Sequence, residues 1–125
     1  MHIDHIVVSV GNLERSASFY DALFGELGFE QPDRYVYRNS QGIAFVLDQA
    51  KDPEYLYRRE GIGVNHIGVQ AESLERVEAV ARAMEQKGFT VPAIQQIDGV
   101  YALFMKDADG MRVEVSYHPS ASPES

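Results

Sequence analysis

Two histidines and a glutamate, His5, His66 and Glu114, are the side chains of this sequence best suited to do chemistry together. Each lies in a short run of alternating, β-branched residues, and such runs are typical of β-strands. Because residues two apart share one face of a strand, the alternation separates the three from the apolar residues that must pack on a helix. Imidazole and carboxylate groups on one face can exchange protons or coordinate a metal ion. A lone strand histidine is usually a hydrogen-bonded core or surface residue, so the hypothesis of a site rests on all three together.

The composition argues against several other chemistries. The chain of 125 residues contains no Cys, which excludes disulfides and thiolate metal sites. The sequence also shows no glycine-rich phosphate loop and no clear Ser/His/Asp arrangement. With 19 acidic and 11 basic residues the net charge is −8, and an acidic surface repels phosphate groups. Nucleic acid and membranes are therefore not expected as partners.

Length and hydropathy indicate one soluble domain. No segment approaches the run of about 18 apolar residues that a membrane span needs. The first residues carry neither the basic nor the apolar region of a secretory signal. We expect the protein to be cytoplasmic.

An internal repeat defines the elements that must position the three side chains. The segments HIVVSV (5–10) and HIGVQA (66–71) begin 61 residues apart, and LER (13–15) recurs as LER (74–76) at the same offset. Further along, GF (28–29) corresponds to GF (88–89), and NSQG (39–42) to DADG (107–110). Because four correspondences occur in one order, the chain is interpreted as a duplication.

Each half predicts a strand, a helix and further short strands in the same order, which we interpret as a βαβββ module with three of its four strands discernible in the first half; the fold class is α+β. Asn12 and Ser73 are suited to cap the two helices, and Gly28 and Gly88 to end them. The predicted strands are 3–10, 34–39 and 42–48 in the first half and 64–71, 90–96, 100–106 and 110–117 in the second. The predicted organisation is a single domain, 1–118, with module 1 at 1–49, a connector at 50–62, module 2 at 63–118 and a flexible tail at 119–125.

Three segments resemble a known family. IDHIVVSV (3–10), NHIGV (65–69) and DADGMRVE (107–114) are similar to the vicinal oxygen chelate superfamily, which includes glyoxalases, bleomycin-resistance proteins and ring-cleaving dioxygenases. The resemblance extends from residue 1 to about residue 118. It implies that the mixed sheets of two modules curl into a cup with the helices outside, and that a divalent metal sits inside the cup.

The resemblance also implies the metal ligands, which are His5, the residue at position 46, His66 and Glu114. Position 46 departs from the family's pattern because the repeat pairs Val46 with Glu114, and valine cannot coordinate a metal. Two imidazoles and one carboxylate remain, a set that suits Fe, Mn, Ni or Zn and leaves coordination positions open. Glu114 is then also the candidate catalytic acid–base group.

The resemblance leaves two functions open. The favoured one is a metal-dependent lyase, isomerase or dioxygenase that chelates a small, oxygen-rich substrate, although Val46 argues against lactoylglutathione lyase activity. The alternative is a metal-free protein that binds and sequesters a small molecule, as bleomycin-resistance proteins do.

Tyr37 and Tyr101 are candidates for lining the substrate pocket. From the family we further expect a homodimer whose sites are shared, with His5 from one chain and His66 and Glu114 from the other.

Overall fold

The structure is a computed structural model, and it describes residues 1–119. The chain divides into two compact units, one of Met1–Tyr57 and one that begins at Arg58. The division falls inside the segment predicted as the connector. Of the predicted flexible tail, residues 120–125 lie outside the described residues.

Both units have the predicted βαβββ order. The first unit contains β1 (His5–Val10), α1 (Leu13–Glu26), β2 (Glu30–Asp33), β3 (Val36–Arg38) and β4 (Ala44–Gln49). The second contains β5 (His66–Gln70), α2 (Leu74–Gln86), β6 (Gln95–Ile97), β7 (Val100–Lys106) and β8 (Arg112–Tyr117). The strand order is β1-β4-β3-β2 in one sheet and β5-β8-β7-β6 in the other. In each sheet the first and last strands of the unit are parallel neighbours and the remaining pairs are antiparallel, so both sheets are mixed, as predicted.

The two helices begin and end where the sequence predicts. The side chains of Asn12 and Ser73 accept hydrogen bonds from backbone N–H groups three residues on, at 2.9 and 3.1 Å, which satisfies one free donor of each first turn. Beyond the helices Gly28 and Gly88 adopt φ values of +80° and +91°. Glycine takes this left-handed conformation without a steric penalty from Cβ. The chain can therefore turn back into its sheet after each helix.

The core of each unit lies between its helix and one face of its sheet. In the first unit this core is aromatic, with the Phe24 ring 4.9 Å from Phe45 and 5.1 Å from Tyr37. In the second unit it is aliphatic. The fully buried residues of α2, β7 and β8 are Val77, Val80, Met84, Leu103, Met105, Val113 and Val115. Burial of each such side chain contributes roughly 1.5–3 kcal/mol to the free energy of folding.

The opposite face of each sheet, which we call the open face, carries the residues of interest. Along β1 and β5 exposed and more buried residues alternate, and His5 and His66 belong to the exposed set. Val7 is paired with Val46, and at the equivalent place in the second unit Gly68 is paired with Glu114. These registers confirm the prediction that Val46 is the counterpart of Glu114.

No helix of residues 1–119 is long and apolar enough to cross a membrane.

Candidate metal centre

The open face of the second unit brings His66 and Glu114 into contact. The His66 Nε2 atom lies 3.2 Å from Glu114 Oε1, and the two side chains are 37% and 18% exposed. They come from the neighbouring parallel strands β5 and β8. Two of the three predicted ligands therefore form one pair, which we call the His66–Glu114 pair.

A chain of two hydrogen bonds orients the His66 ring and sets its tautomer. The Asn65 side-chain amide donates through Nδ2 to the carbonyl oxygen of Arg59, at 2.8 Å. This bond turns Oδ1 of Asn65 toward His66, whose Nδ1 lies 2.8 Å away. Since an amide oxygen can only accept, the proton of the neutral imidazole is on Nδ1. The Nε2 lone pair is then directed toward Glu114.

The His66–Glu114 pair fits a metal ion. An unprotonated Nε2 and a carboxylate oxygen are both acceptors, so at 3.2 Å they need a shared proton or a cation between them. Adjacent ligands that each lie about 2.1 Å from a divalent metal are about 3.0–3.4 Å apart. The observed separation lies within that range. Metal-bound histidines also commonly donate their other ring N–H to an oxygen, as Nδ1 of His66 does.

His5 has the same local arrangement in the first unit. Its Nδ1 lies 2.6 Å from Oδ2 of Asp4, and its side chain is 55% exposed. The hydrogen bond that His5 donates, together with the electrostatic attraction of the same ring, lowers the pKa of the Asp4 carboxyl. In both units, then, the residue before the histidine holds Nδ1 and leaves Nε2 for another partner. The pairs Asp4-His5 and Asn65-His66 are visible in the sequence, but sequence reasoning missed this role.

The three predicted ligands do not form one cluster. Within residues 1–119 no three His, Asp or Glu side chains are grouped so that they could hold a metal ion. His5 belongs to the first unit and the His66–Glu114 pair to the second. The pair by itself offers two candidate ligands, and a third has to be added to complete the predicted set.

Two further residues on the open face of the second unit were not identified from the sequence. The Phe104 ring lies edge-on to the His66 ring, with centroids 5.7 Å apart. The Arg112 guanidinium carbon lies 4.2 Å from the centre of the same Phe104 ring. The register explains this arrangement, because Phe104 is paired with Glu114, and Arg112 with His66. Only the pairing of β7 with β8 brings these residues together, and the sequence does not specify that register.

The structure corrects the expectation for the two tyrosines. Tyr37 is 2% exposed, its ring packs on Phe24 of α1, and its hydroxyl donates to Asp21 Oδ1 at 2.6 Å. It therefore lies on the helix-facing side of its sheet and does not line the open face. Tyr101 is paired with Tyr117, and their rings stack at 6.4 Å. Its place along β7 puts it on the same side as buried Leu103, opposite to the face that bears Glu114.

Comparison with known proteins identifies the family. The sequence model of the Glyoxalase/Bleomycin resistance protein/Dioxygenase superfamily matches residues 2–115. The chain is 32% identical to the Bacillus subtilis (strain 168) protein YqjT, over 89% of this chain and 94% of that protein. It is 30% identical to the trivalent organoarsenical cleaving enzyme of Bacillus sp. (strain MD1), over 94% of this chain and 73% of that enzyme.

The fold is shared with solved structures as well. A glyoxalase/bleomycin resistance protein from Albidiferax ferrireducens T118 superposes with a TM-score of 0.72 at 25% identity, covering 94% of this chain and 98% of that chain. The residues that the family model matches, 2–115, include His5, His66 and Glu114. The chain therefore belongs to the Glyoxalase/Bleomycin resistance protein/Dioxygenase superfamily.

Proposed function

We propose that this protein is a divalent-metal-dependent enzyme that chelates two neighbouring oxygens of a small substrate. The observation that carries the proposal is the His66–Glu114 pair, in which Nε2 and Oε1 are 3.2 Å apart. The hydrogen bond that His66 Nδ1 donates to Asn65 Oδ1 supports the same assignment, because it leaves Nε2 free for coordination.

His5, His66 and Glu114 would hold the metal, with Fe, Mn, Ni and Zn as the candidates. When bound, such a metal acts as a Lewis acid toward a chelated oxygen. Glu114 is the only acidic residue on β5, β7 and β8, so we assign to it any proton transfer on this face. The Phe104 ring beside His66 supplies apolar surface that limits access of water to the pair.

The substrate we propose is a chelator with hard oxygen donors. The organoarsenical cleaving relative acts on trivalent arsenic compounds, as its name states. Trivalent arsenic is a soft centre that prefers thiolates, and soft centres are selected by soft sulfur ligands. This chain has no Cys, and its candidate ligands are imidazole and carboxylate. These groups support an oxygen-rich substrate better than an arsenical.

We further propose a homodimer in which His5 of one chain completes the His66–Glu114 pair of the other. The open face of the first unit supports this assembly, because Val7 is 53% exposed and Ile3 is 61% exposed. Apolar sheet surface of this kind gains free energy when another protein surface covers it. The hydrogen bond from His5 to Asp4 keeps the His5 Nε2 available as the third ligand.

The alternative function is metal-free binding of a small molecule. One observation favours it: the separation of 3.2 Å between His66 Nε2 and Glu114 Oε1 also fits an ion pair in which Nε2 carries a proton. In that case the open face would bind a ligand by shape and hydrogen bonding. The two functions differ in whether the purified protein takes up a metal.

Comparing the metal content of His66→Ala with that of wild type tests whether the His66–Glu114 pair binds a metal. Wild type, His66→Ala and the control His2→Ala are each incubated with Fe(II), Mn(II), Ni(II) or Zn(II), desalted and analysed for metal content. His2 is an exposed histidine outside the strands. We expect wild type and His2→Ala to retain one metal per chain, and His66→Ala to lose most of it with an unchanged far-UV circular dichroism spectrum. Full metal content in His66→Ala would overturn the assignment, and a wild type that binds none of the four metals would favour the metal-free alternative.

A further inference from the structure

A cation lies beside the His66–Glu114 pair and has no anionic partner. The Arg112 side chain is half-buried, and its guanidinium carbon lies 4.2 Å from the centre of the Phe104 ring. Within residues 1–119 the Arg112 guanidinium forms no ion pair and no hydrogen bond. In a chain with a net charge of −8, a half-buried arginine without a carboxylate partner needs an explanation.

The register places this guanidinium within reach of a ligand held by the pair. Arg112 is paired with His66 across the two strands. Glu114 follows Arg112 by two residues on β8, so both side chains leave the same face, with their Cα atoms about 6.6 Å apart. A molecule only a few bonds long could contact both positions.

Phe104 fixes the arginine without using its hydrogen-bond donors. The guanidinium lies over the face of the ring, and stacking of this kind occupies the π surface of the cation. The N–H groups of a guanidinium point outward in its plane and form a fork that matches the two oxygens of a carboxylate. The same ring packs on the His66 ring in a T-shaped arrangement, with centroids 5.7 Å apart. Phe104 therefore ties the position of the cation to that of the pair.

We propose that Arg112 is a specificity-determining residue that binds a carboxylate of the substrate. The substrate class is thereby narrowed to anionic oxygen chelators, in which a carboxylate stands a few bonds from the two chelating oxygens. This inference rests on the proposed function, since the chelating end of the same molecule is held at the His66–Glu114 pair.

The test compares two ligands that differ in one charge. Zinc-loaded wild type, Arg112→Gln and Arg112→Lys are titrated by calorimetry with 3,4-dihydroxybenzoate and with 3,4-dihydroxybenzamide, its neutral isostere. Zinc is used because it has no redox chemistry with catechols. Arg82→Gln is the matched control, because it removes the same charge from the exposed surface of α2.

We expect wild type and Arg82→Gln to bind the acid about tenfold or more tightly than the amide, since a charge-assisted bidentate pair is among the stronger polar contacts. In Arg112→Gln this ratio should fall to near one. Arg112→Lys should give an intermediate ratio, because lysine keeps the charge and loses the planar fork. Zinc content measured before each titration shows whether the metal site is intact in every variant.

Two results would overturn the inference: a wild-type ratio near one, or a ratio retained in Arg112→Gln. If zinc and the amide bind while the ratio is near one, the proposed function stands and the role of Arg112 is wrong. If wild type binds no zinc, the proposed function fails, and the same titrations of metal-free protein then decide the role of Arg112. If metal-free wild type prefers the acid and Arg112→Gln does not, Arg112 binds the carboxylate as proposed. If metal-free wild type shows no preference, the proposed role of Arg112 is wrong. A purely structural role of Arg112 would lower the melting temperature of Arg112→Gln and leave the ratio unchanged.

Discussion

Gly68 lies directly across from Glu114 in the parallel pair of β5 and β8, and a Cβ atom at Gly68 would stand 3.3 Å from Glu114 Oε1. A carbon atom is in ordinary contact with an oxygen at slightly longer distances, so the carboxylate would have to move by a few tenths of an ångström. The absent side chain at Gly68 is what allows Oε1 to take its position beside His66.

Gly68→Ala should therefore separate metal binding from stability. The backbone of Gly68 does not have a positive φ, so alanine fits the strand and reduces the entropy of the unfolded chain, a gain of about 0.4–1 kcal/mol. Metal affinity should fall by about tenfold, because one of the ligand oxygens is displaced. Metal titration and urea unfolding of the variant check both effects. Gly25→Ala, in open space on α1, is the control that should leave metal affinity unchanged.

Asn65 should control the metal affinity of His66 through Nδ1. In Asn65→Ala the ring loses the oxygen that holds its proton on Nδ1, and the ring can turn or change its tautomer. Loss of such an outer partner lowers metal affinity by about 10–100-fold. Competition with a chromophoric chelator measures the change. Asn65→Asp keeps the acceptor oxygen and should recover most of the affinity; equal affinities in wild type and Asn65→Ala would show that the bond has no such role.

Val46→Glu should convert the first unit to the ligand set of the second. Val46 is paired with Val7 just as Glu114 is paired with Gly68, so the new carboxylate faces the open side. Metal should bind more tightly because a second anionic oxygen joins the ligands, while a position otherwise open to substrate is closed and activity falls. The melting temperature without metal should decrease, since the carboxylate is partly desolvated, and the gain on adding metal should exceed that of wild type. An unchanged affinity and an unchanged gain would mean that Val46 does not face the metal.

A mixed dimer of two variant chains, each lacking one proposed metal ligand, tests whether the site is shared. His5→Ala and Glu114→Ala chains are co-expressed with different affinity tags, and the mixed dimer is isolated. If sites are shared between chains, one of its two sites carries both mutations and the other carries none. We expect such a dimer to bind one metal, while each mutant alone binds almost none. Absence of metal from the mixed dimer would mean that each chain builds its own site.

Tyr37→Phe should change alkaline stability and leave metal binding unaffected. Burial raises the pKa of Tyr37 above its ordinary value of 10.0, and its hydrogen bond to the Asp21 carboxylate acts in the same direction. A group with a raised folded-state pKa contributes stability that is complete below its unfolded pKa and is lost as the pH rises toward the folded one. Wild type should therefore lose stability above about pH 10, with a smaller loss in Tyr37→Phe.

At neutral pH the same variant should be less stable by about 1–2 kcal/mol, because Asp21 loses a hydrogen-bond donor. Urea unfolding at pH 8, 10 and 11 measures both effects. If the free energy of unfolding changed with pH to the same extent in wild type and in Tyr37→Phe, the assignment of a raised pKa to Tyr37 would be wrong.

The features that were predicted from the sequence are those that local chemistry determines. Asn12 and Ser73 cap helices because their short polar side chains reach the backbone three residues on. The repeat fixed the equivalence of Val46 and Glu114, since both follow a glycine turn by the same number of residues. The registers of the two sheets confirm this equivalence.

The features that were missed depend on pairing between distant segments. Strand β2 (Glu30–Asp33) is exposed along its length and contains Pro32, so it has no apolar alternation to reveal it. Its pairing with β3 is irregular, and β3 has only three residues. A strand of three residues is too short for the alternation of apolar and polar residues to show which side of the sheet Tyr37 faces. Arg112 and Phe104 meet only across the β7–β8 pair, and neither carries a local signal of that contact.

The separation of each sheet into a helix-facing side and an open side has a consequence for evolution. Stability resides in the residues under the helices, such as Phe24 and Val113, whereas the groups proposed for chemistry project from the other side of the same strands. Mutations at positions such as 7, 46, 68 and 104 can alter reactivity without removing a buried contact of the helix-facing core. A lineage can explore new substrates at these sites while it remains above its folding threshold. The gene duplication widened that freedom, because one half can lose a ligand, as at Val46, while the other half retains its counterpart.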